Sequence, residues 1–243
     1  MPGLLSPSSP AYRAWSAAAD LVLVNLLTLL GCLPVVTAGA SLTACARVTM
    51  EMAREEETYV VRSWWRSART NLIQSLGWWL PVLALIALGA WENGVLGAAS
   101  DADRAAPGAQ AGAPSATTLG ALGGLLGAGL IALAAVLVWL VPLIAFFEAP
   151  LTRHLGNAVR LAVGHLGRTG VSLVVLGAPV VLVWAVPGAR VAAAWFTVLI
   201  GPAFAGYLIA LIQRPVLDAL RQAARAAHAE PRADATPSAP AAS

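Results

Sequence analysis

The chain has 243 residues, of which 58% are hydrophobic and only 11% are charged, and its formal net charge is +3. Soluble domains usually carry about 25% charged residues, and the mean hydropathy of +0.74 is also high, so the composition excludes an ordinary soluble domain. The arginines are scattered between apolar segments and form no basic face, which argues against a nucleic-acid partner.

Several apolar segments have the length of a membrane-crossing helix, which needs about 20 mainly apolar residues. In chain order these predicted spans are 15–33, 72–96, 119–147, 171–186 and 191–212. A shorter segment at 39–52 contains Arg47 and Glu51, and we interpret it as a helix that returns into the membrane and forms a hairpin with the first. The sequence therefore predicts an all-α, polytopic transmembrane helical bundle of six helices, the second of which is short and polar.

The segments outside this bundle are more polar. Residues 1–14 are predicted to be a cytoplasmic N-terminal segment, and residues 15–225 form the transmembrane domain. The outer loop at 98–118 is predicted to be a flexible connector. Residues 226–243 are rich in Ala and Pro, which predicts a disordered tail.

Arginine placement predicts the orientation, because cytoplasmic loops of membrane proteins carry an excess of basic residues. With both termini cytoplasmic, only Arg104 and Arg190 face outside, and Arg47 lies within the second helix. The twelve remaining arginines face inside: Arg13, Arg54, Arg62, Arg66, Arg69, Arg153, Arg160, Arg168, Arg214, Arg221, Arg225 and Arg232. An arrangement of five crossing helices, with the second segment on the inner surface, moves only Arg13 outward. The excess of cytoplasmic arginines therefore does not distinguish five crossing helices from six.

Two stretches on the predicted inner side are amphipathic. They lie near 54–70, with Trp64 and Trp65 as aromatic anchors, and near 151–168. Basic, aromatic-rich elements of this kind bind anionic lipid headgroups or dock a partner protein. Both interpretations apply here.

Three blocks of sequence resemble a known family. The first, residues 25–44, runs Asn-Leu-Leu-Thr-Leu-Leu-Gly-Cys-Leu-Pro-Val-Val-Thr-Ala-Gly-Ala-Ser-Leu-Thr-Ala. The second comprises an acidic turn at 55–59, the Trp64-Trp65 pair and Asn71, and the third is Val-Pro-Leu-Ile-Ala-Phe-Phe-Glu at 141–148. Together they resemble the YesL-like family of bacterial integral membrane proteins, a domain of unknown function, over most of the chain except the outer loop and tail.

The resemblance implies a function by association, since members of that family tend to accompany genes for carbohydrate uptake and glycan degradation. We expect a non-catalytic accessory component that works in a bacterial cytoplasmic membrane beside a sugar-transport permease. A stand-alone small-molecule transporter and a lipid-binding membrane-organising or sensing protein are the alternatives. The family usually has an arginine at the position of Phe147, so the resemblance implies no arginine pair for Glu148 here.

Polar residues within the spans are functional candidates, because burying a charge in the membrane is costly. Counting from the turn at 34–38 at about 1.5 Å per residue places Arg47 level with Asn25 and roughly two turns above Asp20. We hypothesise that Asp20, Asn25 and Arg47 form a clamp within the hairpin. Alternatively, Asp20 lies at the interface and Arg47 pairs with Glu51 one turn later.

The turn between the first two helices holds four further candidates. Pro34 ends one helix, Thr37 is a potential N-cap of the next, and Gly39 permits close backbone approach. The turn is therefore either a ligand or ion site at a broken helix, as in transporters, or a tightly packed connection. Ser41 belongs to the same turn and lies far from the histidines of the cytoplasmic segment, which excludes a nucleophile–base pair.

Asn71 and Glu148 complete the candidate residues. Asn71 precedes a span, and Glu148 ends one near Arg153, where we expect it to pair with that arginine or to contact a partner. The sequence contains no nucleophile elbow, zinc-protease motif or phosphate-binding loop. Its histidines and cysteines lack metal-ligand spacing, so we predict no enzyme, no metal site and no cofactor.

Overall fold

A computed structural model of the chain describes residues 9–56, 59–105 and 116–233. Within these ranges the chain is helical and contains no strand. The helices are α1 (Pro10–Cys32), α2 (Ala38–Ala53), α3 (Val60–Thr70), α4 (Leu72–Ala105), α5 (Ala116–Phe146), α6 (Leu151–Gly164), α7 (Leu166–Ala185), α8 (Arg190–Leu199) and α9 (Gly201–Ala233). Short 3-10 turns at Val35–Thr37 and Pro187–Ala189 join α1 to α2 and α7 to α8.

Five of the described helices are long and apolar enough to cross a membrane: α1, α4, α5, α7 and α9. The all-helical, multi-pass class predicted from the sequence is therefore supported, whereas the count of six crossing helices is not. Helix α2 has 16 residues and rises by about 24 Å, which is less than the roughly 30 Å of a bilayer's hydrocarbon core.

Helix α1 begins earlier than predicted. The Oγ of Ser9 accepts a hydrogen bond from the backbone N–H of Tyr12 at 3.1 Å, and Pro10 occupies the first turn. A serine N-cap followed by proline is a strong helix-start signal. Residues 10–14 of the predicted N-terminal segment are thus helical, and residues 1–8 lie outside the described part of the chain.

Two predicted irregular segments are partly helical. Helix α4 continues to Ala105 and α5 begins at Ala116, so both ends of the predicted outer loop are helical, and residues 106–115 lie outside the described ranges. Helix α9 continues to Ala233, so residues 226–233 of the predicted tail are helical, and residues 234–243 lie outside the described ranges. Alanine, the strongest helix former, is frequent at 98–105 and 226–233.

The last predicted span is divided in two. Helix α8 ends at Leu199 and α9 begins at Gly201, so the helix predicted over 191–212 is interrupted at Ile200. Pro202 has no N–H to donate and its ring is incompatible with the preceding helical turn, which explains the break.

Helix α2 is the centre of the bundle and packs against α1, α3, α4, α5 and α9. Small residues allow these close contacts: a Cβ on Gly39 would lie 2.6 Å from the Cβ of Trp79, and a Cβ on Gly31 would collide with Ser41. Helices α1 and α2 run antiparallel, so the predicted hairpin is present.

Helix α9 runs parallel to α2, because Gly206 faces Thr49 while Arg214 donates from Nη1 to the backbone oxygen of Ala53 at 2.7 Å. The N-terminal half of α1 and the C-terminal half of α9 therefore point to the same end of the bundle. We call this the charged end, since Arg47, Arg54, Arg214, Asp218 and Arg221 lie there.

The sequence of elements α2–α3–α4 resembles that of α5–α6–α7. In each, a short helix packs against the helix before it, and a break at a single residue, Asn71 or His165, separates it from a long apolar helix. Helices α3 and α6 occupy the two stretches predicted to be amphipathic. Both are partly buried, as Trp64 and His154 show.

Candidate binding cavity at the charged end

A polar cavity of about 710 Å³ lies at the charged end. Its wall comprises the C-terminal half of α2, one face of α3, the start of α4, and the end of α5 with the residues that follow it. The volume falls within the range of roughly 300–1,000 Å³ that is typical of small-molecule sites. This polar cavity is the strongest candidate for a functional site among the described residues.

Helix α3 presents different residues in three directions, because side chains four apart share a face of a helix. The buried face, with Val60, Trp64 and Ser67, packs on the bundle. The cavity face carries Arg62, Ser63, Arg66 and Thr70, and Ser67 lies at its boundary with the buried face. The outward face carries Val61, Trp65 and Arg69, all exposed, and the Arg69 guanidinium lies 4.4 Å from the Trp65 ring.

On the α2 wall of the cavity, Arg47 and Glu51 form an ion pair whose other hydrogen bonds are made to neighbouring helices. The Nε of Arg47 donates to Glu51 Oε1 at 2.7 Å, and its Nη1 donates to the backbone oxygen of Ala145 at 2.7 Å. The Oγ of Ser63 donates to the second carboxylate oxygen of Glu51 at 2.7 Å. These bonds join α2, α3 and α5, so the pair positions the wall and its carboxylate is already engaged.

Phe146, beside this pair, is surrounded by guanidinium groups. Those of Arg47, Arg54 and Arg221 lie 4.7, 4.8 and 4.4 Å from the centre of its ring. Cations favour the face of an aromatic ring, and Arg54 is also paired with Asp218 of α9 at 2.7 Å. The cluster ties α2, α5 and α9 together at the charged end.

The remaining wall joins α4 to the segment after α5. The Nδ2 of Asn71 donates to the backbone oxygen of Ser67 at 3.0 Å, and the Nε2 of Gln74 donates to the backbone oxygen of Ala149 at 2.8 Å. The side-chain oxygens of both amides accept no hydrogen bond from a described residue. Glu148 is exposed in the same wall.

The charges that line the cavity are only partly paired. Glu51 is paired with Arg47, and Glu56 lies 3.6 Å from Arg221. Arg62 and Arg66 form no ion pair or hydrogen bond with any described residue. The predicted pair between Glu148 and Arg153 is not formed within the described part of the chain.

The hypothesised clamp is also absent, because Arg47 pairs with Glu51 and not with Asp20. Asn25 instead bridges the break between α8 and α9. Its Nδ2 donates to the backbone oxygens of Thr197 and Val198 at 3.2 and 2.8 Å, and its Oδ1 accepts from the N–H of Ala203 at 3.2 Å. A buried helix break leaves backbone groups that need partners, and Asn25 supplies them.

The turn between α1 and α2 is tightly packed. The Oγ1 of Thr37 donates to the backbone oxygens of Gly31 at 2.7 Å and Pro34 at 2.9 Å. Contrary to the prediction, the Thr37 side chain makes no cap hydrogen bond to α2, and its hydroxyl bonds to these preceding carbonyls instead. Ser41 donates back to the oxygen of Thr37 at 3.1 Å. None of Pro34, Thr37, Gly39 and Ser41 lines the polar cavity.

Of the nine residues singled out from the sequence, the structure brings Arg47, Asn71 and Glu148 together in the polar cavity. Sequence reasoning missed Gln74 as a site residue and gave no role to Arg62 and Arg66. The spacing of these arginines, four residues apart on an amphipathic helix, is the signal that identifies their shared face.

A second, apolar cavity of about 540 Å³ lies between α2, α4, α5, α7, α8 and α9. It borders the α8/α9 break at Thr197, Gly201 and Pro202. Gln213 contributes a polar group: its Nε2 donates to the backbone oxygen of Val138 at 3.0 Å, and its Oε1 is buried without a partner in the described chain.

No group of three or more His, Cys, Asp or Glu side chains in the described ranges is arranged to hold a metal ion. Fold and cavity together define a multi-pass helical protein with a polar pocket at one end of the bundle. The family described as "Protein of unknown function, DUF624" matches residues 21–92, which include α2, α3 and the start of α4. No curated protein and no solved structure matches the chain.

Proposed function

We propose that this chain is a non-catalytic accessory component of carbohydrate uptake or utilisation in a bacterial cytoplasmic membrane. The observation that carries the proposal is the polar cavity, whose α3 wall carries Arg62 and Arg66, both unpaired among the described residues. The exposed Trp65 lies on the same helix, outside the cavity. Its charged end corresponds to the side where the arginine bias predicts the cytoplasm. The link to carbohydrate comes from the sequence resemblance.

The outward face of α3 supports a role in docking. Val61 and Trp65 are both 52% exposed, and Arg69 stacks on Trp65. Aromatic residues and arginine are enriched in protein interfaces. A sugar-transport permease in the same membrane is the partner that we propose for this face.

In-cell photo-cross-linking tests this proposal. A photoreactive amino acid replaces Trp65 in one variant and the exposed Trp184 of α7 in a matched control. Native membranes are irradiated and solubilised in mild detergent, and attached proteins are identified by mass spectrometry. We expect a sugar-transport permease from the Trp65 position and not from the control. Recovery of the chain alone from both positions would contradict the accessory role.

A stand-alone transporter is the second candidate, favoured by one observation: the α8/α9 break borders the apolar cavity. Discontinuous helices line substrate sites in many transporters. Asn25 already satisfies backbone groups at this break, however, and the cavity lining suits an apolar substrate better than a sugar. Uptake of a radiolabelled apolar solute into proteoliposomes, lost in a variant that fills the cavity such as Gly206→Leu, would favour this candidate.

A further inference from the structure

We propose that the polar cavity binds a phosphate-bearing ligand through Arg62 and Arg66 of α3. This inference rests on the cavity being a functional site, as proposed above, and is independent of which protein docks on α3. If the ligand is a lipid headgroup, this proposal assigns the lipid binding considered in the sequence analysis to one pocket and two arginines.

The charge balance of the wall favours an anion. Glu51 and Glu56 are both paired with other arginines, which leaves Arg62 and Arg66 unpaired among the described residues. Glu148 is the one unpaired carboxylate of the described lining. Two unpaired cations against one anion leave an excess of positive charge for a ligand to neutralise.

The spacing of the two arginines suits a phosphate group. Residues four apart on a helix have Cβ atoms roughly 6 Å apart, and like charges at this spacing destabilise the helix. A phosphate accepts hydrogen bonds from two guanidinium groups at once, and each of these bonds is charge-assisted. Bridging Arg62 and Arg66 therefore removes their repulsion and gains two strong contacts.

The rest of the cavity suits a hydroxylated body attached to the phosphate. The side-chain oxygens of Asn71 and Gln74 and the carboxylate of Glu148 are acceptors, and the hydroxyl of Thr70 is a further polar group. The cavity volume of about 710 Å³ is many times the roughly 30 Å³ occupied by one water molecule. It therefore has room for a ligand much larger than an inorganic phosphate ion. Glycerol phosphate and sugar phosphates both combine these features.

The same chemistry comes from two sources: the headgroup of an anionic phospholipid and a soluble phosphorylated small molecule. The exposed Trp65 lies on α3 outside the cavity and is typical of residues at a membrane interface, where a headgroup lies within reach. The test therefore has one arm for each source.

The experiment uses the full chain in phosphatidylcholine nanodiscs, with the thermal midpoint followed by tryptophan fluorescence. One arm titrates glycerol 3-phosphate against potassium chloride at equal ionic strength, because salt alone screens exposed charges. The other arm replaces part of the lipid by phosphatidylglycerol. Ligand that binds only the folded state raises the midpoint, so a rise in either arm supports the proposal and identifies the source.

Matched variants make the result specific to the cavity. Arg62→Gln and Arg66→Gln remove the proposed contacts, and Arg69→Gln makes the same change on the outward face of the same helix. We expect each cavity variant to weaken binding by about tenfold and Arg69→Gln to leave it unchanged. Equilibrium binding of labelled glycerol 3-phosphate to the wild type, competed by inorganic phosphate, checks the soluble arm without any variant.

No rise in either arm would overturn the proposal, as would an equal loss in Arg69→Gln or an equal effect of potassium chloride. The accessory role fails by a separate measurement, namely the absence of a permease from the Trp65 cross-links. If phosphate binds but no permease is cross-linked, the phosphate site stands and the accessory role is rejected. If a permease is cross-linked but no phosphate binds, the accessory role stands and the phosphate site is rejected.

Discussion

Asn25 shows how a single buried side chain stabilises a broken helix. It is fully buried and makes three hydrogen bonds to backbone groups on both sides of the α8/α9 break. We predict that Asn25→Ala lowers the free energy of unfolding by about 2 kcal/mol, because it leaves buried backbone groups without partners. Thermal unfolding of the purified chain in detergent measures the loss.

Two variants control this prediction. Asn25→Asp keeps the size but cannot donate to the carbonyls of Thr197 and Val198, so it is expected to be at least as destabilising. Asn71→Ala removes an amide that is only partly buried and bonds to Ser67 in the preceding helix, α3, and should cost less. Equal losses at positions 25 and 71 would show that the bridge has no special importance.

His154 gives the stability a pH dependence. It is buried at the start of α6 with Nε2 unpaired among the described residues, and burial lowers its pKa below the ordinary value. The folded state therefore favours the neutral imidazole, whereas the unfolded chain takes up a proton near its ordinary pKa of about 6.5. Stability is fully present above that pH and is lost as the pH falls below it.

We accordingly expect the thermal midpoint of the wild type to fall between about pH 7 and pH 5. His154→Gln has a neutral side chain at every pH in this window, so its midpoint should change less. Parallel slopes for the two proteins would assign the dependence to other groups.

At this scale, local partners were predictable and distant ones were not. The pairing of Arg47 with Glu51 follows from a spacing of four residues, and the structure contains it. The partners of Asn25 lie 172 and 173 residues further along the chain, and no periodicity in the sequence connects them. The cluster of guanidiniums around Phe146 was unpredictable for the same reason, since Arg47 and Arg54, in and just after α2, and Arg221 of α9 are distant from Phe146 in the sequence.

Among the elements, α2 has the most demanding packing. It is too short to cross the bilayer in the manner of its neighbours, yet it is surrounded by five other helices. The sequence indicated that the small residues at the start of α2 permit a tight turn. It did not indicate that they contact α4, because that contact depends on the position of Trp79.

Gly39 tests this packing. A Cβ at this position would lie 2.6 Å from the Cβ of Trp79, whereas a Cβ at Gly129 of α5 would meet no atom within 4 Å. We predict that Gly39→Ala is destabilising by about 1–3 kcal/mol, as overpacked cores are, while Gly129→Ala is neutral or slightly stabilising because alanine favours helix. Comparing detergent-solubilised midpoints of the two variants separates steric crowding from helix propensity.

The two short helices, α3 and α6, were predictable as amphipathic stretches, and their long neighbours as apolar spans. The similar order of α2–α3–α4 and α5–α6–α7 was not, since the residues at corresponding places differ: a tryptophan is buried in α3 and a histidine in α6. The two groups of helices are therefore alike in the order of their elements and not in their residues.

For the whole molecule, the structure places the start of α1 and the end of α9 at the same end of the bundle. The exposed Arg13 of α1 and Arg225 of α9 both point to the charged end, and Val191 of α8 is exposed at a distance from it. The sequence left two arrangements open, which differ in the side on which Arg13 lies. From the arginine bias we predict that these two ends lie on the cytoplasmic side.

We therefore predict that Arg13→Cys and Arg225→Cys are protected from a membrane-impermeant maleimide in intact cells and labelled in inverted vesicles. Val191→Cys should behave in the opposite way. The background replaces Cys32 and Cys45 by serine and alanine, so that each variant carries one thiol. Labelling of Arg13→Cys in intact cells, with Arg225→Cys still protected, would place α2 on the inner surface. It would also place the polar cavity beside only five crossing helices, with α1 entering from outside.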